Sequence, residues 1–190
     1  RLDVACAEQL GYRIKLLAVA RRRDDGVELR VQPALLPATH LLAHVNGSMN
    51  GIMVKGDAAG VTLYYGAGAG SEQTASAVIA DLVDVARLEG THAAQRVPHL
   101  GFHAHALQAL PVLPRAAVRS RHYLRVPVHG ATGIAAVGAL LARQGVPVER
   151  LEWMADSTED ARQVLVLTDE APQGTVDLAV HALQALPEVA

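Results

Sequence analysis

The stretch Val61-Thr62-Leu63-Tyr64-Tyr65-Gly66-Ala67-Gly68-Ala69-Gly70-Ser71-Glu72-Gln73-Thr74-Ala75-Ser76-Ala77-Val78-Ile79 is a strand, a glycine run and the start of a helix in direct succession. β-branched and aromatic residues mark the strand over Val61–Tyr65. After the glycines, Ala75, Val78, Ile79, Leu82, Val85 and Ala86 recur at steps of 3, 4, 7, 10 and 11, which is one face of a helix. Ser71 is the expected N-cap, Glu72 puts a negative charge in the first turn, and Arg87 puts a positive one in the last. The Gly-x-Gly-x-Gly run between the two elements has two readings. It is either a tight turn where helix and strand pack closely, or a surface that lets a ligand meet bare backbone beside the positive end of a helix. Its spacing is not the Gly-x-Gly-x-x-Gly dinucleotide fingerprint, and hairpins rather than a βαβ unit precede it.

Upstream, Val4–Leu10 reads as a short helix closed by Gly11. Arg13–Arg22 and Val27–Leu36 read as strands joined by the turn Asp24-Asp25-Gly26, with Pro33 and Pro37 pushing the second toward an edge. His40–Val45 is a connector ending at Asn46-Gly47. Ile52–Lys55 and Val61–Tyr65 form a second hairpin around Asp57-Ala58-Ala59-Gly60. Downstream, Glu89 to Ser120 holds Pro98, Pro111 and Pro114 and no long periodic run, so it reads as an arm laid over a surface through Leu100, Phe102, Leu107, Leu110, Val112 and Leu113. From residue 121 the pattern is strand Arg121–Val128, helix Ala131–Arg143 with Gly145 ending it, strands Val148–Met154 and Arg162–Thr168, and helix Thr175–Leu186 stopped by Pro187. This βαββα order lacks only the last strand of a ferredoxin-like βαββαβ unit, and the chain ends at Ala190 where that strand is due. The expected fold is α/β (α+β), divided as 1–88, a linker arm 89–120, and 121–190.

Composition narrows the function. The chain has 190 residues, 51% apolar and 19% charged, with 17 Lys and Arg against 19 Asp and Glu. A formal charge of −2 gives no electrostatic case for nucleic acid or an anionic membrane. No apolar stretch approaches the ~20 residues of a membrane helix, and no signal-peptide pattern opens the chain at Arg1. Cys6 is the single cysteine, which excludes an internal disulfide and a multi-cysteine zinc site and favours a reducing, cytoplasmic setting.

Side-chain chemistry is sparse. His99, His103 and His105 are close in sequence, but no Cys, Asp or Glu lies between them and no helical phase aligns them, so no metal is expected. His40 and His44 lack a third ligand. Lys15, inside Ile14-Lys15-Leu16-Leu17, is expected to face solvent, and Lys55 flanks a turn; neither has an acid/base partner in sequence reach. Ser48, Ser71, Ser76 and Ser120 have no nucleophile-elbow context. Cys6 reads as buried filler. No catalytic constellation emerges from the residues alone.

A resemblance adds to this reading. Leu10-Gly11-Tyr12-Arg13-Ile14-Lys15-Leu16-Leu17-Ala18, Val31-Gln32-Pro33-Ala34-Leu35-Leu36-Pro37, Leu42-Ala43-His44-Val45-Asn46-Gly47 and Gly56-Asp57-Ala58-Ala59-Gly60 are similar to homoserine dehydrogenases. So are Tyr64-Tyr65-Gly66-Ala67-Gly68-Ala69-Gly70 and Thr74-Ala75-Ser76-Ala77-Val78. Arg96-Val97-Pro98-His99-Leu100-Gly101-Phe102 and Leu110-Pro111-Val112-Leu113-Pro114 resemble the bridge to the regulatory domain of bacterial members, and residues 121–190 resemble an ACT domain, a small amino-acid-sensing module. The matches cover nearly the whole chain.

The resemblance implies an NADP- or NAD-dependent enzyme, a homo-oligomer (dimer or tetramer) that interconverts L-homoserine and L-aspartate 4-semialdehyde on the route to threonine and methionine. It also implies an amino-acid effector. The nucleotide fingerprint, the acid/base lysine and the homoserine-holding carboxylates are expected upstream of Arg1, so no catalytic role falls on Lys15 or Lys55 and the chain alone is expected to be inactive. The contact it carries over is Gly70 on the nicotinamide nucleotide, with Thr74 assisting. Three positions depart from the family pattern: Gln73 replaces a usual proline, Gly130-Ala131-Thr132-Gly133 replaces Asp-x-Pro-Gly, and Trp153 replaces a frequent glutamine. The competing expectation is a non-catalytic ACT-type amino-acid-binding module whose first half serves only dimerisation.

Overall fold

The computed structural model describes residues 2–89, 105, 107–154 and 162–189. They form α1 (Leu2–Gln9), β1 (Tyr12–Arg23), β2 (Gly26–Pro37), β3 (Met49–Gly56), β4 (Gly60–Ala67), α2 (Ser71–Leu88), β5 (Arg119–Ser120), β6 (Tyr123–Val128), α3 (Gly133–Arg143), β7 (Val148–Trp153), β8 (Arg162–Thr168), β9 (Ala171–Pro172) and α4 (Gln173–Leu183). This is a mixed α/β chain with antiparallel hairpins and four helices. It divides into two units, one of residues 1–6, 16–35 and 110–190 and the other of residues 7–15 and 36–109. Among the described residues no helix is long and apolar enough to cross a membrane.

In the first unit, β6, β8 and β7 make an antiparallel sheet in the order β6-β8-β7. Strand residues alternate between its faces. Val126, Val128, Val164 and Val166 meet Val137, Leu140 and Leu141 of α3 and Val176, Ala179 and Leu183 of α4 in one buried core. Gly145, at φ 72°, turns the chain out of α3 in the left-handed conformation, as its place after the last periodic residue predicts. Past α4, His129 N donates to Glu188 O at 2.7 Å and Val189 bridges Val128 antiparallel, so pairing at the β6 edge begins where the βαββαβ pattern puts the last strand. The opposite face carries Tyr123 and Arg125. Asp3 of α1 accepts hydrogen bonds there from Arg125 Nε at 2.7 Å and Tyr123 Oη at 3.2 Å. Cys6 is buried beside Met154, its thiol 3.4 Å from the thioether, as expected of packing.

The distal half of the β1–β2 hairpin belongs to the same unit. Glu28 is fully buried there, with Oε2 accepting from Arg23 Nη2 at 3.1 Å and Nε at 3.2 Å. Arg30 Nε approaches Oε1 to 3.2 Å but off the hydrogen-bonding direction. Near its end the arm bonds to the hairpin through backbone: Val27 N donates to Pro111 O, and Leu113 N to Val27 O, both at 2.9 Å. Of the residues expected to pack the arm down, Leu113 is half-buried beside Gly26, Leu107, Leu110 and Val112 are exposed, and Leu100 and Phe102 lie outside the described residues. Gly26 is required here because a Cβ would strike the Pro111 carbonyl. Two two-residue strands escaped the sequence pattern, β5 and β9, which pair antiparallel through Arg119–Pro172 and Ser120–Ala171.

In the second unit, β3 and β4 pair in register from Met49–Ala67 to Gly56–Gly60, with Gly60 at φ 72° closing the turn. Residues Leu41–His44 form a 3-10 turn whose preceding residue, His40, accepts from Leu42 N through Nδ1. Lys15 does not extend into solvent as the alternation in β1 implies. Its ammonium donates to Val45 O at 2.6 Å and Asn46 Oδ1 at 2.7 Å, fastening the Asn46-Gly47 turn.

Candidate functional site

The glycine run leaves β4 at Ala67 and enters α2 at Ser71. Gly70, not Ser71, is the N-cap, and it supplies no side-chain capping bond. Its φ of 139° and ψ of 150° form a conformation that side chains with a Cβ rarely tolerate. The first backbone bond of the helix runs from Thr74 N to Gly70 O at 3.0 Å. Ser71, Glu72 and Gln73 precede the first intrahelical donor, so the positive end of the helix dipole lies at the end of the run.

Gly70, Ser71, Thr74, Ala75, Val78 and Ile79 line one open, shallow depression. The structure thus brings the two predicted contact residues, Gly70 and Thr74, together. The depression offers bare backbone and a hydroxyl at one end and aliphatic surface at the other. A flat heteroaromatic ring carrying a polar substituent suits that pairing better than a multiply charged group, since Glu72 adds a negative charge to the first turn. Sequence reading did not single out Asn50. Its side chain lies over Gly68: a Cβ on Gly68 would sit 2.7 Å from Asn50 Cγ. The signal available was the alternation of β3, which puts Asn50 opposite Gly66.

The apolar face of α2 is not covered. None of its residues is buried, and Val78 and Ile79 are 52% and 59% exposed. Elsewhere Ser120 Oγ lies 3.3 Å from His122 Nε2, yet among the described residues no carboxylate is hydrogen-bonded to that ring. Burial lowers the His122 pKa from its ordinary value, opposed by a backbone bond at Ala171 and by Asp177, and reinforced by Arg30. Among the described residues no group of His, Cys, Asp and Glu could hold a metal; His99 and His103 lie outside them.

The homoserine dehydrogenase family profile matches residues 1–83. Over 189 residues the chain is 46% identical to a homoserine dehydrogenase of Pseudomonas aeruginosa, covering 98% of this chain and 44% of that protein. The crystal structure of a homoserine dehydrogenase from Thiobacillus denitrificans superposes with a TM-score of 0.89 at 46% identity, over 100% of this chain and 43% of that one. Nearly the whole chain is thus similar to part of a homoserine dehydrogenase. A Neisseria gonorrhoeae homoserine dehydrogenase is 44% identical over 185 residues, 97% of this chain and 42% of its own. The chain therefore spans less than half the length of these homoserine dehydrogenases. The family match includes the whole glycine run and α2 as far as residue 83.

Proposed function

We propose that this chain is the C-terminal portion of an NADP- or NAD-dependent homoserine dehydrogenase, interconverting L-homoserine and L-aspartate 4-semialdehyde, and that Gly70 and Thr74 meet the nicotinamide nucleotide. The observation that carries the reading is the convergence of Gly70 and Thr74 on one depression inside the family-matched segment. The bare Gly70 backbone admits the ring, the Thr74 hydroxyl is available to its polar substituent, and Val78 and Ile79 give it apolar support. The bound nucleotide supplies or accepts the hydride. The resemblance carries acid/base work and substrate binding to no residue of this chain, so the chain assayed alone is expected to be inactive. The test is oxidation of homoserine, with NAD+ and NADP+ in turn, by the natural full-length polypeptide; no turnover with either overturns the assignment.

Residues 121–190 are read as an ACT regulatory domain, 1–88 as the catalytic and dimerising part, and 89–120 as the arm joining them. The β6-α3-β7-β8-α4 order, the β6-β8-β7 sheet and the Val128–Val189 bridge support the first of these. Beyond the depression the same face of α2 continues through the exposed Leu82 and Val85, and this part supports assembly into a homo-oligomer. A reducing, cytoplasmic setting is consistent with Cys6 as a buried free thiol. The same βαββα half keeps the second reading in play, a non-catalytic amino-acid-binding module. That reading predicts heat on titrating threonine, methionine or isoleucine into a polypeptide with no dehydrogenase activity.

A further inference from the structure

The run Gly66-Ala67-Gly68-Ala69-Gly70 is the softest backbone a protein can place at a ligand contact, because three of its five residues carry no Cβ. A contact that relies on backbone position needs that softness restrained. Within the second unit the restraint comes from across the β3–β4 hairpin. Asn50 pairs with Gly66, and its side chain then reaches over Gly68, occupying the space of the missing Cβ: that atom would lie 2.7 Å from Asn50 Cγ and 3.3 Å from Asn50 Cβ. At the far end Gln73 does the same for Gly70, whose Cβ would lie 3.0 Å from Gln73 Cδ. Asn50 is itself held, since the turn before it is pinned by Lys15 on Val45 O and Asn46 Oδ1, and Met49 N donates to Asn46 O at 3.2 Å. We infer that Asn50 is a positioning residue for the nucleotide, bracing Gly68 from the neighbouring strand so that Gly70 is presented in one conformation. This rests on the reading that Gly70 meets the nicotinamide nucleotide. Asn50 acts through the run and touches no reacting atom.

The geometry makes a specific demand. A methyl on Gly68 must displace the Asn50 carboxamide, so Gly68→Ala and Asn50→Ala disturb one contact and cannot act independently. The experiment uses the natural full-length polypeptide, with NADP+ and NAD+ titrated calorimetrically and the KM for homoserine measured alongside. Asn50→Ala is expected to raise the nucleotide Kd roughly three- to tenfold, with the KM for homoserine unchanged. Gly68→Ala is expected to do the same, and the double variant to be no worse than the weaker-binding single. Asn50→Asp, which keeps the shape, is expected to stay closer to the parent than Asn50→Ala. Normal nucleotide binding by Asn50→Ala, or losses that multiply in the double variant, overturn the inference alone. A parent protein that binds neither nucleotide overturns the functional reading and this inference with it.

Discussion

Glu28→Gln removes the charge from a carboxylate that is fully buried between two guanidinium groups. Deleting one partner of a buried pair costs about 3–5 kcal/mol when the survivor has no other solvation. Here the survivors are only partly enclosed, with side-chain exposures of 36% for Arg23 and 20% for Arg30. Both can tilt toward water. The glutamine also keeps an oxygen for Arg23, so the expected loss is about 2–3 kcal/mol. The unit containing Glu28 also contains Trp153, the single tryptophan, so its fluorescence during urea unfolding reports the right structure. Glu8→Gln is the control. Its pair with Arg13 is half exposed on both sides and lies in the other unit, so it should cost less than ~1 kcal/mol and leave the Trp153 transition in place. A Glu28→Gln loss under ~0.5 kcal/mol would refute the claim that burial, rather than ion pairing as such, makes this group matter.

Gly133→Ala should destabilise the same unit by about 1–3 kcal/mol, because the new Cβ would lie 2.6 Å from Val128 Cβ; Trp153 fluorescence in urea measures it, and an unchanged midpoint contradicts the packing. Acid should weaken this unit. Arg125 holds the Asp3 carboxyl below its ordinary pKa, and burial holds the His122 imidazole below 6.5, so in both cases the unfolded chain binds more protons and stability falls as pH drops through the unfolded values. Asp3→Asn should flatten the part of a stability-against-pH curve below pH ~4, and an unaltered slope there would discount the Arg125 contact. Lys15→Met should release the Asn46-Gly47 turn, read as roughly tenfold faster amide exchange of Met49 with little change in the Trp153 transition. On size-exclusion chromatography the isolated chain should self-associate through the bare part of α2 beyond the depression, and Leu82→Lys should reduce that; a well-behaved monomer before mutation would contradict it.

The hairpins were legible because their turns carry local chemistry: Asp25-Gly26 and the positive-φ Gly60 specify them within a few residues. The period of α2 was legible for the same reason, but periodicity records which face is apolar and not whether anything covers it. Ser71 looked like an N-cap by residue type, whereas the backbone at Gly70 adopts a conformation that takes the role instead. Lys15 was misjudged and Glu28 passed over because alternation assigns a polar strand residue to solvent; the partners of Glu28, Arg23 and Arg30, meet it only in the folded hairpin, and Asn46 reaches Lys15 from 31 residues away. β5 and β9 are two residues long, too short for any period to show. Gly70 and Thr74 came from the family resemblance and not from the residues alone; lying one helical turn apart, they line the same depression. Asn50 was not legible, because it reaches the glycine run only across the ladder.

The docking of α1 on the sheet has a consequence for synthesis. Asp3 meets Tyr123 and Arg125, and Cys6 meets Met154, contacts separated by 120, 122 and 148 residues of chain. As the polypeptide leaves the ribosome, α1 emerges well before the strands it docks against. The central strand of that sheet, β8, runs to Thr168, so this seat for α1 is incomplete until that strand has been translated. Closure of such a distant pair is slow, and Asp3 and Cys6 wait without these partners meanwhile. The N-terminal helix should therefore gain its protection from amide exchange only once the sheet is complete.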